Sequence, residues 1–360
     1  MSTPTPRPRD QVADIPAYVP GKPPVPRPGI SVYKLSSNEN PYPPLPGIVE
    51  AVVTAAASMN RYPDMGSAGL HAALAERLGV QPEMIASGTG SVAVLYHLLQ
   101  AFCSPGDEVV HAWRSFEAYP IGIAVAGATA VPVPLTADGC HDLEAMLAAV
   151  TARTRVVLVC TPNNPTGPAI PATALAAFLD ALPGHVLAVV DEAYREFVRA
   201  PDPVDGVALL AGRPNVVTLR TFAKASGLAG LRVGYLVGSP EVAAATRACA
   251  LPFGVSSIAQ AAAVAALAAE DALLSRVAKI VAERERVTAA LRDQGWRLPD
   301  AQGNFVWFGL ADRTPDFVAA AEEAGIMVRP FAGEGVRVSI GEDAANDVLL
   351  QVAAAFVRQP

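Results

Sequence analysis

The chain has 360 residues, 51% of them apolar, and a formal net charge of −7 at pH 7. That length holds two domains with substantial cores, and an acidic balance without a basic block argues against a nucleic-acid partner. The apolar residues are mainly Ala and Val spread along the chain. No run reaches the roughly 18 apolar residues that span a bilayer, so no membrane partner is expected.

The first 46 residues hold thirteen of the 33 prolines. They read as an extended arm lying across another surface, because they lack apolar periodicity of their own. The opening MSTPTPRPRDQVADIP has no apolar run behind its basic residues, which argues against a secretory signal. Cys103, Cys140, Cys160 and Cys249 lie far apart, without spacing for zinc or a disulfide framework. The expectation is a reduced, cytoplasmic setting with no metal.

From about residue 50, helices and short apolar runs alternate. The spacing predicts helices over 47–58, 67–79, 91–102, 142–150 and 171–182. Strands are predicted at EVVHAW (108–113), ATAVPVPL (128–135), TRVVLVC (154–160), HVLAVVD (185–191), NVVTLRT (215–221) and VGYLVG (233–238). Such Val- and Leu-rich runs between helices predict an α/β fold, a mainly parallel sheet covered by helices on both faces. Beyond about 245 the character changes. An Ala-rich helix (256–269), a long charged helix (270–294), strand candidates NFVWFGL (304–310), IMVRPF (326–331) and GVRVSIG (335–341), and a helix at 315–324 predict a smaller α+β domain. The expected division is an arm over 1–46 belonging to the small domain, a large domain over 47–245 and a small domain over 246–360.

Ligands of open parallel sheets bind outside the carboxyl ends of the strands. TPNNPTG (161–167) follows one strand and brings Asn163 and Asn164, and DEAY brings Asp191 and Tyr194 after the next. After NVVTLRT come Lys224 and, eight positions on, Arg232. Ahead of the helix at 91–102, SGTGS (87–91) is a glycine-rich turn that would turn free N–H groups and a positive dipole end toward an anion. Singly, each has a plain reading: a turn, a helix cap, a solvated lysine, a strand-edge ion-pair partner. Together they meet the needs of pyridoxal 5′-phosphate (PLP). That cofactor needs an amine for its aldehyde, a carboxylate for its pyridine nitrogen, donors for its ring oxygen, and N–H groups with an arginine for its phosphate.

PNNPTG, DEAY and TFAKASGLAGLRVGY (221–235) resemble the fold-type I PLP-dependent aminotransferases, in the branch of histidinol-phosphate and bacterial aromatic (phenylalanine) aminotransferases. The resemblance runs from about Lys34 to Ile340. It implies that Lys224 is the catalytic Schiff-base lysine and proton shuttle, and that Asp191 pairs with the pyridine nitrogen. It also implies that Asn164 and Tyr194 bond the ring oxygen, and that Arg232, Thr221, Gly90, Ser91 and Val92 hold the phosphate. Phe116 in WRSFEAYP (113–120) would stack on the ring. Tyr62 in NRYP (60–63) would reach the phosphate of a neighbouring subunit, which implies a homodimer with shared active sites. Arg337 and Arg329 match the substrate-anion positions, and Asn38 and Tyr42 in SSNENPYPP (36–44) would contact the substrate. Two positions depart from the family: Ala223, where a phosphate-binding serine is usual, and Ser226, where an aromatic residue is common.

AYVPGK (17–22), WRSFEAYP and PFGVSSIAQAA (252–262) resemble the aromatic enzymes, and Val92-Ala93 replaces the acidic pair common in histidinol-phosphate enzymes. The expected reaction is transamination of phenylalanine or tyrosine with 2-oxoglutarate or an aryl pyruvate, so the partners are small amino and 2-oxo acids. The alternatives are histidinol-phosphate transamination and, more remotely, a non-catalytic PLP- or amino-acid-binding sensor.

Overall fold

The computed structural model describes residues 28–358 continuously and, of the first 27, residues 5–7, 12, 15, 18, 20, 21, 23 and 26. Much of the expected arm, and part of the AYVPGK motif, therefore lies outside the described residues.

A seven-stranded sheet forms from β2 (Ile85–Gly88), β3 (Glu108–Trp113), β4 (Thr129–Pro134), β5 (Thr154–Cys160), β6 (Leu187–Asp191), β7 (Val216–Thr221) and β8 (Gly234–Val237). The spatial order is β2-β8-β7-β6-β5-β3-β4. Five strands are parallel neighbours, and β8 alone runs antiparallel to both β7 and β2. The central strands are apolar on both faces because both faces are covered. On β5, Val156, Leu158 and Cys160 face one layer with Leu95, Leu98, Tyr119 and Ile123 from helices Ser91–Phe102 and Ala118–Ala126. Val157 and Val159, one residue out of phase, face the other layer with Leu175, Phe178 and Leu179 of helix Ala172–Ala181. That two-residue period is the strand's own geometry.

The second sheet is antiparallel, in the order β11 (Arg329–Phe331), β12 (Gly335–Ser339), β9 (Phe305–Gly309). Its core draws Val277, Ile280 and Leu291 from the long helix Glu270–Asp293, Phe317 from Thr314–Glu323, and Leu349 and Phe356 from Asp343–Val357. IMVRPF, expected as one strand, is two: β10 (Ile326–Met327) pairs parallel with β1 (Tyr33–Lys34), while β11 pairs with β12. Pro330 is compatible with a ladder here because β11 is an edge strand. Leu35 continues the stitching, donating to the Met327 carbonyl at 2.8 Å and accepting from Ser339 N–H at 2.8 Å.

Among the described residues, three α-helices had no counterpart in the sequence: Ala118–Ala126, Pro240–Ala248 and Asp343–Val357. The first, AYPIGIAVA, is apolar almost all round and holds a proline and a glycine, so its sequence carries no amphipathic period. Strand β2 was also missed, because its four residues end inside the glycine-rich turn. Among the described residues no single helix is long and apolar enough to cross a membrane.

Candidate active site

The strand order reverses around β3, with β4 on one side and β5 on the other. Beyond the carboxyl ends of β3, β5, β6 and β7 lies a cavity of about 390 Å³. Ser91, Val92, Phe116, Asn164, Asp191, Tyr194, Thr221, Lys224 and Arg232 all line it, as do Arg329 and Arg337 from the second sheet. Residues from four strand ends, scattered over more than a hundred positions of sequence, thus meet at one place.

One end is built from backbone. Gly90 caps helix Ser91–Phe102 with φ +88°, and no side chain caps that helix, so its first N–H groups stay available. A Cβ on Gly90 would overlap the Arg232 guanidinium, so only glycine lets this cation lie against the helix start. Arg232 itself sits at φ +54° and donates to the carbonyls of Ala229 (3.2 Å) and Thr89 (3.4 Å). Thr221 Oγ1 accepts from the Ala223 N–H at 3.1 Å, and Ala223, which carries no side-chain donor, lines the cavity.

The floor is ionisable. Asp191, at the end of β6, accepts from the Tyr119 hydroxyl (2.7 Å) and the Ala193 N–H (3.2 Å). Burial still pushes its carboxyl up to about 6. Lys224 donates to the Ser37 carbonyl at 3.1 Å. Burial, and then the charge of Arg337, bring its amine down to about 7. The Tyr194 hydroxyl accepts from Asn38 Nδ2 at 3.0 Å and remains able to donate. Phe116 lies edge-on to Tyr119, with ring centroids 5.6 Å apart.

The other end joins the two sheets. Arg337 donates to Asn164 Oδ1 (2.6 Å) and the Ser36 carbonyl (2.8 Å), while its buried Nε has no partner among the described residues. Because a guanidinium only donates, the Asn164 oxygen must face Arg337 and its Nδ2 is left as a donor. Arg329 is paired with Glu117 at 2.5 Å.

Asn38, Tyr42 and Tyr62 do not line this cavity. Asn38 is fully buried behind the wall, holding Tyr194 and bonded to Ser339. Tyr42 packs against the core of the second sheet, with Arg276 over its ring at 5.9 Å. Tyr62 is 82% exposed and stacks on Phe253 at 4.6 Å. Ser226 lines a different cavity, with Phe222 and Tyr235. The sequence reading missed Glu117, Tyr119 and Ser37. The first two stand inside WRSFEAYP, where only Phe116 was given a role, and Ser37 contributes only a backbone carbonyl.

The donor set fits PLP. An anion cradle, a buried carboxylate and a depressed amine line one cavity, the groups that a phosphate, a pyridine nitrogen and an aldehyde require.

A family model for aminotransferase class I and II matches residues 30–352. The aromatic amino acid aminotransferase of Streptomyces avermitilis is 57% identical over 100% of both chains. That of Rhodococcus jostii is 52% identical over 97% of this chain and 96% of its own. Among solved structures, the histidinol-phosphate aminotransferase of Sinorhizobium meliloti in complex with pyridoxal 5′-phosphate is 33% identical, with a TM-score of 0.85 and 90% of each chain covered.

Proposed function

The chain belongs to the class I and II aminotransferases, and on that premise we propose that it transfers the amino group of phenylalanine or tyrosine to 2-oxoglutarate or an aryl pyruvate, with PLP held in the cavity. The observation that carries the substrate assignment is the full-length identity of 57% to an aromatic amino acid aminotransferase. The cavity wall supports it: Val92, Tyr96, Ile121 and Phe331 give a ring apolar surface to lie on.

Bound PLP supplies a protonated ring that delocalises the electron pair left when the substrate α-proton departs. The protein's residues do the rest. The free N–H groups of Ser91 and Val92, with Thr221 and Arg232, hold the phosphate, and the close approach at Gly90 makes room for it. Asp191 keeps the proton on the pyridine nitrogen. That cation offsets the burial that otherwise raises its carboxyl, while Tyr119 fixes its orientation. Asn164 Nδ2 and the Tyr194 hydroxyl donate to the ring oxygen, and Phe116 covers the ring. Lys224 would hold the aldehyde through its amine and, once the substrate's amino group has displaced it, would carry the α-proton on Nζ. An amine held at about 7 is roughly half free base at neutral pH, against a negligible fraction at its ordinary 10.5. Arg337 takes the substrate carboxylate with the Nε that has no partner among the described residues.

The reading divides the chain into a cofactor-binding domain over 47–245 and a smaller domain over 246–360 that the arm joins. It also includes a homodimer in which Tyr62 reaches the partner's cofactor phosphate. Exposure of Tyr62, Phe253, Met59, Met65 and Leu251 supports a covered face.

The test is a half-reaction. PLP-loaded protein is mixed separately with phenylalanine and with histidinol phosphate, and loss of the bound cofactor's visible absorbance is followed. Conversion with phenylalanine alone is expected. Conversion with histidinol phosphate alone would move the protein to the other branch, and a cofactor that binds without converting would leave a binding protein.

A further inference from the structure

Resting on the aminotransferase reading, one ion pair in the cavity has no part in holding the cofactor or the substrate's α-carboxylate. Among the described residues the cavity is lined by four cations, Lys224, Arg232, Arg329 and Arg337, and two anions, Asp191 and Glu117. Lys224, Asp191 and Arg232 face the cofactor, and Arg337 faces the substrate carboxylate. Arg329 and Glu117 remain, and they face each other.

Their placement has a physical cause. Arg329 on β11 and Arg337 on β12 are register partners, so two guanidinium groups stand side by side on one face of the ladder. Both are buried, at 4% and 8% exposure. Two adjacent buried cations need a counter-ion. Glu117, at the entry to helix Ala118–Ala126, supplies it to Arg329 at 2.5 Å. Arg329 also lies over the Phe331 ring at 5.4 Å, which puts the pair beside the apolar wall.

We propose that Glu117 is a specificity-determining residue that competes with the substrate's side chain for Arg329. A phenyl ring leaves the pair intact and lies beside a neutral surface. A distal carboxylate, as in glutamate or 2-oxoglutarate, reaches Arg329 only by displacing Glu117. A phosphate must do the same with more charge. Glu117 thus sets how strongly this site prefers aromatic over acidic side chains, while one cavity still admits both.

A second ion pair shows what a purely structural role would look like. Arg114 donates to Glu334 at 2.9 and 3.1 Å, linking the segment before Glu117 to the turn after β11. Glu117→Gln keeps the shape and a hydrogen-bond acceptor for Arg329 but removes the charge, so it separates the two roles.

The experiment measures binding of two unreactive ligands, glutarate and 3-phenylpropionate, to the PLP-loaded wild type and Glu117→Gln by calorimetry, with a thermal melt of each protein. Removing a carboxylate from contact distance should tighten glutarate by about tenfold or more and leave 3-phenylpropionate within about twofold. Arg329→Gln keeps Glu117 but removes its partner, so it should weaken glutarate by about tenfold and spare 3-phenylpropionate; this arm decides the matter if Glu117→Gln does not fold. Unchanged glutarate affinity, or parallel changes in both ligands with a lowered melting point, would overturn the proposal and reduce the pair to a tether. Ligand binding decides this inference and phenylalanine conversion decides the function, so each can fail alone.

Discussion

The two ends of the cavity are both cationic, yet they are built on opposite principles. At Gly90 and Arg232 the charge is backed by backbone: a helix start, a glycine that admits the guanidinium, and carbonyls of Ala229 and Thr89 as its partners. At Arg329 and Arg337 it is backed mainly by side chains, Asn164 and the Glu117 carboxylate, with the Ser36 carbonyl beside them. The difference matches the ligands proposed for each end. A phosphate has the same charge at every turnover, so a fixed array of dipoles serves it. Substrate side chains alternate between neutral and anionic, and a counter-ion that can be displaced suits both.

Lys224 lies between the ends and should give the largest effect. Lys224→Met is expected to lower transamination by about 10⁴-fold, read as single-turnover conversion of phenylalanine. The same variant tests the electrostatics without cofactor. Burial holds the wild-type amine at about 7 rather than its ordinary 10.5, so between those values the unfolded chain binds more protons than the folded one. Stability of the cofactor-free wild type should therefore rise with pH from about 7 to 10.5, and be at its lowest below 7. Cofactor-free Lys224→Met should melt a few degrees higher at pH 7 and lose that lead as pH approaches 10.5. A flat difference would mean that the amine is not desolvated.

The ends themselves are separated by a pair of variants. Gly90→Ala puts a Cβ at φ +88° and into the Arg232 guanidinium, and should weaken PLP by roughly 10–100-fold while leaving KM for phenylalanine at saturating cofactor within about twofold. Arg337→Gln should do the reverse, raising KM by roughly 10–100-fold and leaving PLP titration unchanged. If each variant moves both quantities, the two ends are one coupled site and the contrast drawn above fails.

The smallest expected effect sharpens the backbone end. Ala223→Ser restores a hydroxyl beside Thr221, and should tighten PLP by up to about tenfold, one hydrogen bond's worth. No gain would mean that Thr221 and the helix N–H groups already saturate the phosphate.

The same contrast separates what could be read from the chain. Asn164, Asp191, Thr221 and Lys224 were legible because parallel strands announce themselves as apolar runs, and whatever follows their carboxyl ends converges. SGTGS was legible because a glycine pair opening a helix has few other uses. Glu117 and Tyr119 were not, although they sit next to Phe116, which was singled out and lines the cavity. Their meaning lies in partners, Arg329 and Asp191, that are 212 and 72 positions away. The split of IMVRPF was equally hidden. Its residues suit a strand throughout, and only the arrival of Tyr33 and Lys34 beside Ile326 and Met327 divides it.

By itself the sequence determined the α/β architecture and the order of groups at its strand ends, because period, turn chemistry and short motifs are local properties. The tertiary structure decided the charge state of the site: that Lys224 is desolvated, that Asn164 turns its oxygen to Arg337, and that Arg329 meets Glu117. Electrostatic energy depends on distance and burial, and neither is written along the chain.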